Sequence, residues 1–101
     1  MRHRDHDVFV RSIHERHLVV VTFVKTTTGE LATRRCVPLD FGPYRKLDGL
    51  RYSLLNHGGG SGSHPMGLHA ADIHEIAATK VHFDPSVVIT WTPTWHLPRA
   101  W

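Results

Sequence analysis

The stretch LVVVTFVKTTTGELATRRCVP, residues 18–38, decides the fold of this chain. Residues 18–25 are rich in β-branched side chains and too few for a buried helix, which predicts a strand. Gly29 marks a turn, and residues 31–37 predict a returning strand that ends at Pro38, because proline has no N–H to donate to a β-ladder. The stretch therefore predicts a β-hairpin.

The residues on both sides of the hairpin predict a short helix and a further strand. Residues 5–16 combine aspartates at cap positions with apolar residues near a helical repeat, which predicts a short N-terminal helix. Residues 41–44 and 47–49 contain glycine and predict turns. Residues 50–55 alternate in polarity and predict a strand with Tyr52 directed at the core.

The second half of the chain predicts additional short strands around the same core. The glycine-rich residues 58–63 lie between two strands and predict a hairpin loop. Residues 66–71 alternate again, and apolar residues between positions 81 and 91 predict two more strands. We expect five or more short strands and a core that contains Val19, Val21, Phe23, Tyr52, Leu54, Leu68 and Ile73.

Size and composition predict one globular domain over residues 1–101. Apolar residues make up 41% of the chain and charged residues 21%, which is ordinary for a soluble protein. The N-terminus lacks a signal-peptide pattern, and no apolar run approaches the roughly 20 residues of a membrane span. With Cys36 as the single cysteine, we expect a cytoplasmic protein without membrane contact. The net charge of +3 permits a polyanionic partner without indicating one.

A larger pattern covers residues 12–85. Its segments, in chain order, are SIHERHLVVVTFV, TTTGE, RRCVPL, GLRYSLLNH and LHAADIHEI. This succession of a short helix, an apolar strand, a glycine turn, an Arg-x-apolar-x-Pro strand and two later strands resembles the WYL domain family. Arg34 and Pro38 match the third segment of that pattern, and Tyr52 matches the middle of the W-Y-L triplet.

Other family positions carry different residues in this chain. Arg51 and Ser53 stand in place of the Trp and Leu of the triplet, while His69 and Asp72 replace two arginines of the last strand. The resemblance implies a small, partly open β-barrel of the SH3-like or Sm-like type, known from bacterial transcription regulators that sense nucleic acid or a nucleotide-like ligand. We therefore expect a mainly β fold with a short N-terminal helix, acting as a non-catalytic regulatory or ligand-binding module.

Basic and aromatic residues are interleaved along the predicted strands and turns. Guanidinium groups beside aromatic rings suit a phosphate and a stacked base. The alternative is that these side chains form a solvated face of the barrel. The cluster comprises Arg34, Arg35, Tyr44, Arg45, Lys46, Arg51 and Tyr52. From this cluster and the resemblance, the expected ligand-binding or anion-binding residues are Arg34, Arg51, Tyr52 and His69.

Ten histidines raise the question of a metal site. His69, Asp72 and His74 form the best candidate set, but no HExxH motif or paired cysteine accompanies them, and scattered surface histidines explain the composition. Cys36 is expected to be a buried structural thiol. No motif of a known enzyme class occurs, so we expect no metal, no cofactor and no catalytic residue, and catalysis is the third choice of function.

Residues 92–101 form a tail rich in tryptophan and proline, which its prolines keep extended. Trp91, Trp95 and Trp101 would be costly to leave in water. One interpretation is that the tail packs over the open edge of the barrel of its own molecule. The other is that the three tryptophans contact a protein partner or a second copy of the chain, which makes the protein an interaction module or a homodimer.

Overall fold

The computed structural model describes residues 2–44, 47–57 and 65–101. Within these ranges no helix is long and apolar enough to cross a membrane. Outside them fall the predicted glycine-rich loop and part of the predicted basic cluster, namely residues 58–63, Arg45, Lys46 and the side chain of Tyr44.

Most of the described chain forms one antiparallel β-sheet preceded by a helix. The elements are α1 (His6–Glu15), β1 (His17–Val24), β2 (Leu31–Tyr44), β3 (Leu47–Asn56), β4 (Pro65–Leu68), a 3-10 turn (Ala70–Asp72), β5 (Ile73–His82) and α2 (Pro85–Val88). The described strands lie in the order β4-β3-β2-β1-β5, and β4 and β5 leave the sheet open at its edges. The predicted mainly β fold with a short N-terminal helix is confirmed, and the open sheet is compatible with a small, partly open barrel.

Strand β2 is twice as long as the sequence predicts. The prediction that it ends at Pro38 is wrong, because β2 continues to Tyr44 through the residues predicted as a turn. Beyond Cys36 it pairs with β3 alone, so proline interrupts no ladder to β1 there. A shift of register also follows between Pro38 and Asp40. Proline is tolerated at such irregular positions.

The prediction of a further strand after β5 is also wrong, because the chain forms a single helical turn, α2, at this place. Asp84 precedes the turn, and its carboxylate accepts hydrogen bonds from the backbone N–H (3.0 Å) and the hydroxyl (2.7 Å) of Ser86. Pro85 occupies the first helical position, where its fixed φ favours a helix. Capping by Asp84 therefore overrides the strand preference of Val87 and Ile89.

One face of the sheet packs against α1 and forms the inner cluster. Phe9 and Ile13, one helical turn apart, point from α1 into this cluster. Burial raises the pKa of the Cys36 thiol to about 12, so the expected structural thiol is confirmed. The predicted core is confirmed as well, with Leu68 partly buried at its margin. The inner cluster comprises Phe9, Ile13, Val19, Val21, Phe23, Ala32, Cys36, Phe41, Tyr52, Leu54, Ile73 and Ile76.

The opposite face of the sheet carries a second hydrophobic cluster, the outer cluster. Leu18 and Leu55 belong to it, while their strand neighbours Val19 and Leu54 belong to the inner cluster. Neighbouring residues of a strand point to opposite faces, so the two clusters lie on the two sides of one sheet. The outer cluster comprises Leu18, Val37, Leu39, Leu55 and Phe83, and the residues that cover it are Val88, Ile89, Trp95 and Trp101.

Candidate functional site

Asp40 of β2 holds the C-terminal tail, residues 92–101, against the sheet. Its carboxylate is buried and accepts hydrogen bonds from the backbone N–H groups of His96 (2.8 Å) and Leu97 (2.9 Å). These donors compensate a carboxylate that would otherwise be costly to remove from water. One acidic side chain thus fixes a segment that follows it by more than 50 residues.

Arg99 adds a buried positive charge to the same anchor. Its Nη2 lies 3.3 Å from Oδ1 of Asp40, and only 2% of its side chain is exposed. The guanidinium lies 4.0 Å from the ring centre of Trp95 and 4.8 Å from that of Trp101, where both rings attract a cation. Desolvation lowers the pKa of Arg99 to about 10, while the negative charge of Asp40 acts in the opposite direction and raises that pKa. The group therefore stays charged at neutral pH.

The two tryptophans of the tail, Trp95 and Trp101, form hydrogen bonds within their own molecule. The indole N–H of Trp95 donates to the carbonyl of Trp101 (3.0 Å), and that of Trp101 donates to the carbonyl of Ile13 (2.8 Å). Trp101 therefore ties the end of the chain to α1 while its ring packs against Phe83. The tail lies over a face of the sheet rather than over its edge. Trp91 differs from the other two, because 41% of it is exposed.

A cavity of about 240 Å³, which we call the tail pocket, lies between the start of the tail and the outer face of β2 and β3. Its walls combine aromatic rings with polar side chains, the composition usual for a small-molecule site. Its lining includes Asp40, Arg51, Ser53, Trp91, Trp95 and His96.

Arg51 brings the tail pocket a cation with unused hydrogen-bonding capacity. Its Nη1 donates to the carbonyl of Gly67 (3.0 Å), which holds the side chain along the sheet. Its Nε is buried and has no hydrogen-bond partner among the described residues. An unpaired donor on a charged group is unfavourable in a buried position. In the described part of the chain, the tail pocket therefore lacks a hydrogen-bond acceptor for the Nε of Arg51.

Gly42 lets the tail approach the strand that forms the floor of the pocket. A Cβ atom at this position would lie 2.8 Å and 2.9 Å from two carbon atoms of the His96 ring. Such a contact is too short for any side chain at position 42 unless the histidine moves. Glycine here serves close packing of the tail, whereas the sequence pattern predicted a turn.

The four predicted ligand residues occupy different parts of the molecule. Arg51 lines the tail pocket, but its strand neighbour Tyr52 is fully buried in the inner cluster, so no single face holds both. The Tyr52 hydroxyl accepts the backbone N–H of His3 (2.9 Å) and lies 2.8 Å from Nδ1 of His6. Burial raises the pKa of Tyr52. Tyr52 is therefore a core residue in the structure.

The other two predicted ligand residues lie outside the tail pocket. Arg34 is half-buried on β2, opposite Val21 of β1, and its Nη1 donates to the carbonyl of Thr33 (3.0 Å). The His69 ring lies beside Gly49, two residues before Arg51 on β3. Among the described residues no three His, Cys, Asp or Glu side chains are placed to hold a metal ion.

Sequence reasoning missed the two charged residues that anchor the tail. Asp40 is a lone acid in an apolar run, and Arg99 lies between two tryptophans of the tail. A lone charge in such a setting is a signal for a buried partner of opposite sign. That signal identifies neither partner, because the two residues are far apart in sequence.

Comparison with known proteins adds nothing to these observations. No family model matches the chain, and no curated protein or solved structure matches it either.

Proposed function

We propose that the protein is a small, non-catalytic binding module whose tail pocket holds a nucleotide-like anion. The observation that carries this proposal is Arg51, whose Nε lacks a partner in a pocket that also contains the accessible ring of Trp91. A guanidinium binds phosphate or carboxylate oxygens through parallel hydrogen bonds. An indole ring offers a flat apolar surface on which a base can stack.

Size favours a single nucleotide, or one base of a single strand, over a larger ligand. The cavity of about 240 Å³ lies just below the usual range of roughly 300–1,000 Å³ for drug-sized ligands. Ser53 and His96 supply further polar atoms at the wall. Arg51 lines the cavity, so an oxygen of a ligand there would supply an acceptor to a guanidinium whose Nε lacks one among the described residues. The resemblance to nucleotide-sensing WYL domains points to the same ligand class.

Binding to variants at Arg51 tests this proposal. Mononucleotides and short single-stranded oligonucleotides are titrated into the wild type, Arg51→Ala and Arg51→Lys, with tryptophan fluorescence as the readout. We expect Arg51→Ala to weaken binding by roughly tenfold, since one charge-assisted contact contributes about 1.5–3 kcal/mol. Loss of one phosphate contact also flattens the salt dependence of binding to a single strand by about 0.7 units.

Two control variants make the result specific. Arg11→Ala removes the same charge from the exposed surface of α1, and it should leave the affinity unchanged at matched salt. Arg34→Ala tests the other predicted arginine, which lies outside the pocket, and should also have little effect. Equal binding by the wild type and Arg51→Ala, or no binding at low salt, contradicts the proposal.

A second candidate function is the binding of a protein partner or a second copy of the chain. It is favoured by an apolar groove of about 300 Å³ lined by Pro85, Ile89, Pro93, Trp95 and Trp101. Val87, next to this groove, is 69% exposed. Light scattering on the wild type and Val87→Ser at two salt concentrations separates the two functions, because Val87 lies beside the groove and outside the tail pocket, and an apolar interface forms a dimer whose stability changes little with salt.

A further inference from the structure

Two histidine rings face each other where β1 begins and β5 ends. His17 and His82 are direct cross-strand partners, so their side chains lie on the same side of the sheet. Their Nε2 atoms are 2.9 Å apart, and the pair is accessible to solvent. Next to the pair, the backbone N–H of Phe83 donates to the carbonyl of Arg16 (2.9 Å), which fixes the two strand ends relative to each other.

The distance between the two nitrogens is the distance that two neighbouring ligands of one metal ion require. With metal–nitrogen bonds of about 2.0–2.1 Å, a right angle at the metal places the nitrogens about 2.9 Å apart, and a tetrahedral angle places them about 3.3 Å apart. The observed 2.9 Å matches the right angle. Right angles between neighbouring ligands are typical of the square-planar and tetragonal sites of Cu(II) and Ni(II).

The orientation of the rings agrees with shared coordination. The ring planes are inclined by 81°, and the ring centres are 4.3 Å apart. If the two Nε2 lone pairs pointed straight at each other, each ring centre would lie a full ring radius behind its nitrogen and the centres would be farther apart. The rings are therefore tilted away from the line that joins the two nitrogens. Two imidazole rings that bind one metal ion must be tilted in the same manner. In the absence of metal, an N–H of one ring can donate to the other ring, and a metal ion would take the place of that proton.

We propose that His17 and His82 form a bidentate site for one transition-metal ion, with Cu(II) and Ni(II) preferred over Zn(II). Water molecules complete the coordination, because within the described ranges no third His, Cys, Asp or Glu joins the pair in a metal-binding cluster. Imidazole is a suitable ligand for these metals, and copper binds most tightly among the divalent ions of this series. This site is separate from the tail pocket and does not depend on the proposed function.

Copper titration of histidine variants tests the site. The probe is Cu(II) at about pH 7, and its binding is followed by calorimetry and electron paramagnetic resonance. The chain is used with its amino group acetylated, because a free amino group close to His3 is itself a copper ligand. The wild type should bind one ion with two equatorial imidazole nitrogens. His17→Ala and His82→Ala should each weaken that site by roughly tenfold or more, since even outer-shell changes around a metal cost 10–100-fold.

His74→Ala provides the matched control. His74 is also an exposed histidine of β5, but it belongs to no such pair in the described structure. This variant should retain the affinity and the two-imidazole spectrum of the wild type. His82→Ala changes an exposed side chain at the end of a strand, and a circular dichroism spectrum confirms that it folds. Unchanged copper binding in His17→Ala and His82→Ala, or a spectrum with a single imidazole in the wild type, overturns the proposal.

Discussion

The two faces of the sheet are closed in different ways. The inner cluster is covered mainly by α1, with Leu97 and Trp101 of the tail packed against it as well, and its members follow the alternation of strands and the spacing of a helix. The outer cluster is covered by α2 and by a tail without regular structure, held by the buried charges of Asp40 and Arg99. Apolar periodic packing leaves little room for a ligand, whereas polar anchoring leaves a pocket beside Asp40. The candidate site therefore lies on the face whose packing is less regular.

Deletion of residues 93–101, which uncovers one face and not the other, should have the largest effect on stability. The deletion exposes the outer cluster and removes two partly buried indoles, Trp95 and Trp101, a loss of at most about 3–6 kcal/mol by transfer free energies. We expect the melting temperature to fall by several degrees or more, as measured by thermal and urea unfolding. The inner cluster loses its contacts with Leu97 and Trp101 but should remain packed against α1. An unchanged melting temperature would show that the outer face needs no cover.

Replacement of Asp40 by alanine should have the next largest effect. It removes the acceptor of two backbone N–H groups and leaves the buried charge of Arg99 without its carboxylate. Breaking a buried ion pair from one side costs about 3–5 kcal/mol. Urea unfolding measures this loss, and the double variant with Arg99→Met is the control. The double variant should recover part of the stability, and a loss that is purely additive would contradict the paired anchor.

The inner cluster could be predicted from sequence in more detail than the outer one. Val19, Val21 and Phe23 alternate within one strand, so local periodicity identifies their common face. Asp40 and Gly42 carry no such signal, since their partners in the tail lie more than 50 residues away. The same limit applies to the histidines, because the pairing of His17 with His82 depends on the register of two distant strands.

Acid should lower the stability of the fold by a smaller amount, through a histidine that is buried beside the inner cluster. Desolvation lowers the pKa of the buried His6 from its ordinary value near 6.5. The unfolded chain therefore binds more protons as pH falls below about 6.5, and stability is lost on acidification. The Tyr52 hydroxyl, 2.8 Å from Nδ1 of His6, can donate only to an unprotonated ring.

Unfolding of the wild type, His6→Gln and His74→Gln at about pH 7.5 and about pH 5 measures this response. The wild type should lose more stability on acidification than His6→Gln. His74→Gln, which changes an exposed histidine of β5, should behave as the wild type does. An equal loss in the wild type and His6→Gln would place the acid response elsewhere in the molecule.

The central claim is that a ligand binds on the outer face, between the tail and the sheet. Nitrogen–proton NMR spectra resolve the indole N–H of Trp91 and the Nε–H of Arg51, and a titration with a mononucleotide observes both directly. We expect these two signals to shift together and to saturate, while the Nε–H signals of Arg11 and Arg34 stay in place. Shifts centred on Arg34, or no shift at either Trp91 or Arg51 up to millimolar ligand, would contradict the claim.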